Sequence, residues 1–252
     1  MFPAPPTLGH EGTGIWVVDQ YVVDDYVVLD TNSDADGWIV IYSNDNGELG
    51  EILGYSPIER FWTLYRPIKI SVENRTDRLL AVMHNDTGVI GKFEPNIDSI
   101  IIFEDNRYFE EFQILVTLDP KLTVQDQRIV EGKITIKSVV SAGSGWIVAY
   151  KDNNGEPGEI IGKQPVFHGI NNDTKVRIQD MSNSGKIHIL VHSDTGVVGE
   201  FEYPELDPLM IWNDGSISSI IEISDNGVIG FHYALIFACI LCLSIYRRSK
   251  RY

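Results

Sequence analysis

Cysteine is missing from the first 238 residues: Cys239 and Cys242 both lie in an apolar run near the C-terminus. No disulfide framework is available to the rest of the chain. That fits a cytosolic protein, or equally a prokaryotic or archaeal surface protein held by packing rather than by cross-links. Basic residues are also scarce, twenty Lys and Arg against thirty-six acids, for a formal charge of -16. Four of the twenty, Arg247, Arg248, Lys250 and Arg251, stand in the last six positions, so sixteen bases face all thirty-six acids before them. A surface that acidic repels nucleic acid and anionic lipid headgroups and holds a hydrated cation layer. Nucleic acid is therefore not an expected partner.

Other absences narrow the chemistry. There is no Gly-x-Ser-x-Gly elbow, no His-Glu-x-x-His and no phosphate-cradling loop, so no nucleophile, catalytic metal or nucleotide pattern stands out. No catalytic residue, cofactor-binding residue or cofactor is expected. The opening MFPAPPTLGHEGTG has neither a basic n-region nor an apolar h-region, so no signal peptide is visible and residues 1–14 read as unstructured. Either the chain's true start lies further upstream, or export depends on the C-terminal segment.

What is present occurs twice. GWIVIYSNDNGELGEILGYSPI from Gly37 returns as GWIVAYKDNNGEPGEIIGKQPV from Gly145, an ungapped offset of 108 residues. LLAVMHNDTGVIGKFE from Leu79 and IHILVHSDTGVVGEFE from Ile187 keep the same offset. A whole folding unit recurs, at a period suited to a tandem pair of small domains. Residues 15–118 form the first and 119–224 the second, joined by a very short linker at Asp119-Pro120.

Within each unit the pattern is of short strands with turn signals and no helical period, which predicts a β-sandwich. Gly37–Ser43 carries Trp38, Val40 and Tyr42 on one face and Ile39 and Ile41 on the other, so it should be covered on both sides. Asn46-Gly47 and Asn154-Gly155 supply the residues that tolerate positive φ in tight hairpins. A second hairpin is expected across Asn85–Gly88, with Gly88–Glu94 as its return strand and Val197–Tyr203 as the matching strand. Trp38 and Trp146 are expected in the sandwich cores. Trp16, Trp62 and Trp212 do not repeat, so a shared aromatic binding face is not expected.

The end of the chain differs. Val228–Tyr246 is nineteen residues without Asp, Glu, Lys or Arg, followed by the basic run. Nineteen helical residues span roughly 30 Å of hydrocarbon. This reads as a transmembrane helix at 228–246 with a basic cytoplasmic tail at 247–252, and the charge step places both β domains outside.

Some constellations resemble ligand sets. His84 with Asp86, and His192 with Asp194, stand two apart at a strand end and face the same way if extended, so each pair could share a metal ion. The bland reading has Asp accepting turn N–H groups and His at the sheet edge. Asn32, Asp34 and Asp36 mimic the start of a calcium loop, but Ser43 falls where its bidentate Glu belongs. Glu48 with Glu51, and Glu156 with Glu159, imitate a glycosidase couple, yet they read as solvated turn acids. Asn74, Asn85 and Asn172 open glycosylation sequons, which matter only on an exported chain.

Gly-Trp-Ile-Val, then Asn-Gly-Glu with Gly50 and Gly54 (Gly158 and Gly162), then His-x-Asp-Thr-Gly and Phe-Glu, resembles an uncharacterised domain repeated in archaeal cell-surface proteins. Asp207-Pro208, with Asp98 as its partial echo, is similar to that family's acidic segment. The resemblance implies no particular activity. The tail likewise resembles the sorting tails of such proteins, with Ile229-Gly230-Phe231 standing where their Pro-Gly-Phe stands.

The expectation is an all-β protein: two tandem immunoglobulin-like β-sandwich domains and one C-terminal transmembrane helix. It would be a single-pass cell-membrane protein with extracellular domains and a cytoplasmic C-terminus. Its function would be that of a non-enzymatic envelope, adhesion or partner-binding module, contacting a cell-envelope protein or glycan. The alternatives are an extracellular metal-binding pair using His84, Asp86, His192 and Asp194, and a glycan-directed enzyme.

Overall fold

A computed structural model describes residues 12–103, 106–107, 109–179 and 185–224, and their regular structure is all strand. The expected membrane helix, the basic tail and residues 1–11 lie outside the described residues. Among the described residues no helix is long and apolar enough to cross a membrane.

The first half supplies β1 (Gly14–Trp16), β2 (Gln20–Val23), β3 (Tyr26–Ser33), β4 (Gly37–Asp45), β5 (Glu48–Ile58), β6 (Phe61–Lys69), β7 (Arg78–Asn85), the short β8 (Ile102–Phe103) and β9 (Asn106–Arg107), and β10 (Phe109–Leu118). The second supplies β11 (Lys121–Thr123), β12 (Lys133–Ser141), β13 (Gly145–Asn153), β14 (Glu156–Val166), β15 (Gly169–Arg177), β16 (Gly185–Ser193), the short β17 (Ile211–Trp212) and β18 (Gly215–Ser216), and β19 (Ser218–Ile223).

In the first half β1, β3 and β6 make one layer, and β2, β10, β7, β4 and β5 the other. The layers join where β2 turns into β3 at Val23↔Tyr26. β2 runs parallel to β10. The second half repeats this wiring with β11-β12-β15 against β14-β13-β16-β19, and Gln127 bridges Ile223 in parallel where β2 meets β10. Registers repeat as well: Gly37↔Ile58 and Trp38↔His84 in the first half, Gly145↔Val166 and Trp146↔His192 in the second. The register break at Ile41/Tyr42 recurs at Ala149/Tyr150.

Alternation along the strands builds the cores. Ile39, Ile41, Ala81 and Met83 meet Val27, Leu29 and Ile68 from the facing layer. Ile147, Ala149, Ile187, Ile189 and Val191 meet Ile134, Ile136 and Val176 in the same way. Each core draws on one half of the chain only. Asn46 and Asn154, at φ 56 and 55, turn their hairpins as their residue types require.

The strand covered on both sides is present, and what covers it corrects the second-hairpin expectation. Neither Gly88–Glu94 nor Val197–Tyr203 is a strand. Each segment curls back over the outer face of its own sheet. Phe93 packs there with Trp38, Val40, Tyr42, Leu80 and Val82, and Phe201 with Trp146, Val148, Tyr150 and Leu190. An extended return strand would leave that apolar face in water, whereas burying one Phe contributes about 2 kcal/mol. Trp38 and Trp146 are buried, as expected, but on this outer face rather than between the layers.

Candidate functional site

The covering loop is locked by polar groups that match the repeated His-x-Asp-Thr-Gly and Phe-Glu signatures. His84 lies one residue from the end of β7 on the outer face, with Tyr42 four residues along β4 from its register partner Trp38. The His84 ring is buried, its Nδ1 2.7 Å from the Asp98 carbonyl and its Nε2 3.0 Å from the Tyr42 hydroxyl. A carbonyl only accepts, so Nδ1 carries the proton, and in the neutral ring Nε2 accepts from Tyr42. Burial holds the His84 pKa below its ordinary value and raises that of Tyr42, which keeps both groups neutral. His192 repeats the arrangement, 3.0 Å from the Asp207 carbonyl and 3.0 Å from the Tyr150 hydroxyl. Its pKa is lowered by burial, and that of Tyr150 is raised by burial.

The carboxylates close the loop. Asp98 accepts the backbone N–H groups of Glu94 at 2.7 Å, Thr87 at 2.9 Å and Gly88 at 3.2 Å. Those bonds, that from Glu94 foremost, hold its pKa below the usual carboxylate value. Asp207, fully buried, accepts from Glu202 at 2.6 Å and Thr195 at 3.1 Å. Glu94 takes the Val89 N–H at 2.7 Å, and Glu202 the Val197 N–H at 2.6 Å. A Cβ on Gly88 would stand 2.3 Å from the Glu94 carboxylate, so the glycine of the signature leaves room for that bond.

The residues expected as metal ligands fall within this lock. Asp86 Oδ2 accepts from Gly91 N–H at 2.7 Å and Asp194 Oδ2 from Gly199 N–H at 2.9 Å. Burial raises the Asp194 pKa, while the N–H groups of Gly199 and the Trp146 indole draw it down. Both nitrogens of each imidazole are already engaged, so a cation would have to displace a carbonyl or a tyrosine to reach one. Among the described residues no group of three or more His, Cys, Asp or Glu is placed to hold a metal ion. Of the calcium-like acids, Asp34 accepts from the Thr13 hydroxyl and Asp36 from the Arg60 N–H. Glu48 and Glu51 are exposed on their hairpin.

Two features escaped sequence reasoning. Trp16 and Trp62, set aside because neither repeats, pack at 4.6 Å at one end of the first sandwich, beside Phe61 with Arg60 over its ring. Proximity in the fold, not periodicity, joins them. The halves also touch: His168 Nε2 donates to the Tyr21 carbonyl at 2.8 Å, and the Tyr21 ring lies over Gly169. Beside that contact is a cleft of about 250 Å³, between Asp24, Tyr26 and Tyr65 of the first half and Ser144, Asp194 and Thr195 of the second.

No curated protein matches the chain. Residues 120–220, which carry β11 and every later strand but the last few residues of β19, match the family model described as a domain of unknown function (DUF7282).

Proposed function

We propose that the chain is a non-enzymatic, partner-binding surface module: two immunoglobulin-like sandwiches that arose by duplication, anchored by the apolar run at 228–246 with both domains outside the cell. The observation that carries the non-enzymatic part is the use of the repeated polar groups. In both halves the His of the signature bonds the Asp98 or Asp207 carbonyl, its Asp accepts from the Gly91 or Gly199 N–H, and its Glu accepts from the Val89 or Val197 N–H, all closing one covering loop. An enzyme site leaves its acid or base free to reach substrate atoms, whereas both nitrogens of each imidazole here are engaged. Duplication is supported by the shared offset and registers, and immunoglobulin-like wiring by the parallel contact of each early strand with its last strand. The surface address rests on the charge step before and after the apolar run.

Protease added to intact cells making the full chain tests the address. Removal of both sandwiches is expected, and their protection would put the domains on the inner side.

A further inference from the structure

The chain holds three Asn-x-Thr sequons, at Asn74, Asn85 and Asn172, and the fold treats them differently. A transferase that adds a glycan closes around the backbone of its acceptor, so a usable sequon stands on exposed chain that can leave the surface without breaking a sheet.

Asn85 does not meet that condition. It is half-buried at the end of β7, its N–H donates to the Ser99 carbonyl at 2.9 Å, and its Nδ2 donates to the Ser99 hydroxyl at 3.2 Å. Thr87 of the same sequon gives its N–H to the Asp98 carboxylate and its hydroxyl to the Ile97 carbonyl at 3.0 Å. Freeing this sequon opens the covering loop. Asn172 is exposed but lies within β15, opposite Ser138, with register pairs to β12 on either side from Lys133↔Arg177 to Ser141↔Gly169. Freeing it strips β15 from β12.

Asn74 is exposed on the connection between β6 and β7, and among the described residues 70–77 belong to no strand. The connection is anchored where it begins, by the Ile70 N–H on the Asp25 carbonyl and the Ser71 N–H on the Leu53 carbonyl. The chain then turns with Asn74 at φ 57, a left-handed conformation that asparagine tolerates better than most side chains. Its Nδ2 donates to the carboxylate of Glu51, itself exposed, at 2.7 Å. Water can replace that bond, and a glycosylated amide keeps one N–H with which to make it. The Thr76 hydroxyl accepts from the Asn44 N–H at 2.9 Å and donates to the Arg78 carbonyl at 2.5 Å, and Arg75 reaches the Thr117 hydroxyl at 3.0 Å. Local opening around Asn74 releases these bonds and no register pair.

We propose that Asn74 is the glycan acceptor of the folded chain and that Asn85 and Asn172 stay bare. The donor is an oligosaccharide carried on a lipid diphosphate. The Asn74 amide nitrogen forms a C–N bond to the anomeric carbon, the C–O bond to phosphate breaks, the lipid diphosphate leaves with the electron pair, and the amide proton passes to water. In the cell this rests on the outward address proposed above, whereas the presentation of Asn74 does not.

The test separates the two. The folded full chain in mild detergent is incubated with a solubilised single-subunit oligosaccharyltransferase that reads Asn-x-Ser/Thr and with its lipid diphosphate-linked oligosaccharide. Peptide mass spectrometry gives the occupancy of each asparagine, normalised to a free synthetic peptide carrying the same sequon. Normalised occupancy of Asn74 is expected to exceed that of Asn85 and Asn172 by about ten-fold or more. Asn74→Gly keeps the turn's positive φ, so it should abolish the modification while the melting temperature holds. Thr76→Ser, which retains the hydroxyl, should preserve it. The proposal is overturned by a folded chain left bare at Asn74, or by Asn85 or Asn172 accepting as well as Asn74. Chain recovered from its own membranes should carry a glycan on Asn74. A bare Asn74 on sandwiches that added protease removes overturns the proposal, whereas protected sandwiches that still accept at Asn74 after purification uphold it and fault the address alone.

Discussion

The Nδ1–H of His84 points at the carbonyl of Asp98, 2.7 Å away, while the carboxylate of that same aspartate gathers three backbone N–H groups. One residue thus joins the sheet to the loop that covers it.

That junction sets an order among substitutions. Phe93→Ala and Phe201→Ala each empty the small core beneath a loop and should cost about 3 kcal/mol. Tyr42→Phe strips a single partner from a buried imidazole nitrogen and should cost about 1 kcal/mol. Urea melts read the difference, and hydrogen exchange should show the Gly91 amide losing protection in Phe93→Ala. Equal costs for the two classes would mean that the polar lock, not the Phe, holds the loop.

Acid should weaken the fold through its histidines. His84, His168 and His192 are each held below the ordinary value of 6.5, chiefly by burial. Below about pH 6.5 the unfolded chain therefore binds protons that the folded chain does not. Stability is full above that pH and falls as pH drops through the lowered folded values, by up to about 1.4 kcal/mol per pH unit for each histidine. Asp24, Asp30 and Asp194, raised by burial, act with the opposite sign, favouring the fold below 3.8 and losing that effect as pH rises through their folded values. The histidine part is isolated by His168→Asn, which should flatten the loss between pH 8 and 5; an unchanged slope would remove His168 from the account.

Metal supplies a third test, since a cation that binds only the folded chain at a hundredfold excess over Kd adds about 2.7 kcal/mol. With both nitrogens of His84 and His192 occupied, Zn²⁺ should leave the melting temperature unchanged. A chelator-reversible rise, lost on combining His192→Ala with Asp194→Ala, would establish the His-x-Asp pairs as ligands.

Strand content and the Asn-Gly turns were readable because alternation and positive φ are local properties. The covering loops were not. Gly88–Glu94 has the composition of a strand, and only the distant outer face of β4, together with Asp98 ten residues on from Gly88, decides that it curls. The Trp16–Trp62 pair was hidden for a related reason: β1 and β6 both pair with β3, and no repeat in the chain flags that neighbourhood.

The parallel pairing of β2 with β10 gives the tandem a mechanical character. β2, the second strand of the first sandwich, and β10, its last, lie side by side and run the same way, so tension between them pulls them past one another in shear. Their hydrogen bonds then carry the force together instead of opening in turn. Three pairs, Ile114↔Gln20, Thr117↔Val22 and Leu118↔Val23, share that load in the first sandwich. In the second, Gln127↔Ile223 stands where Ile114↔Gln20 stands in the first, so the same shear geometry opens there as far as the described residues run.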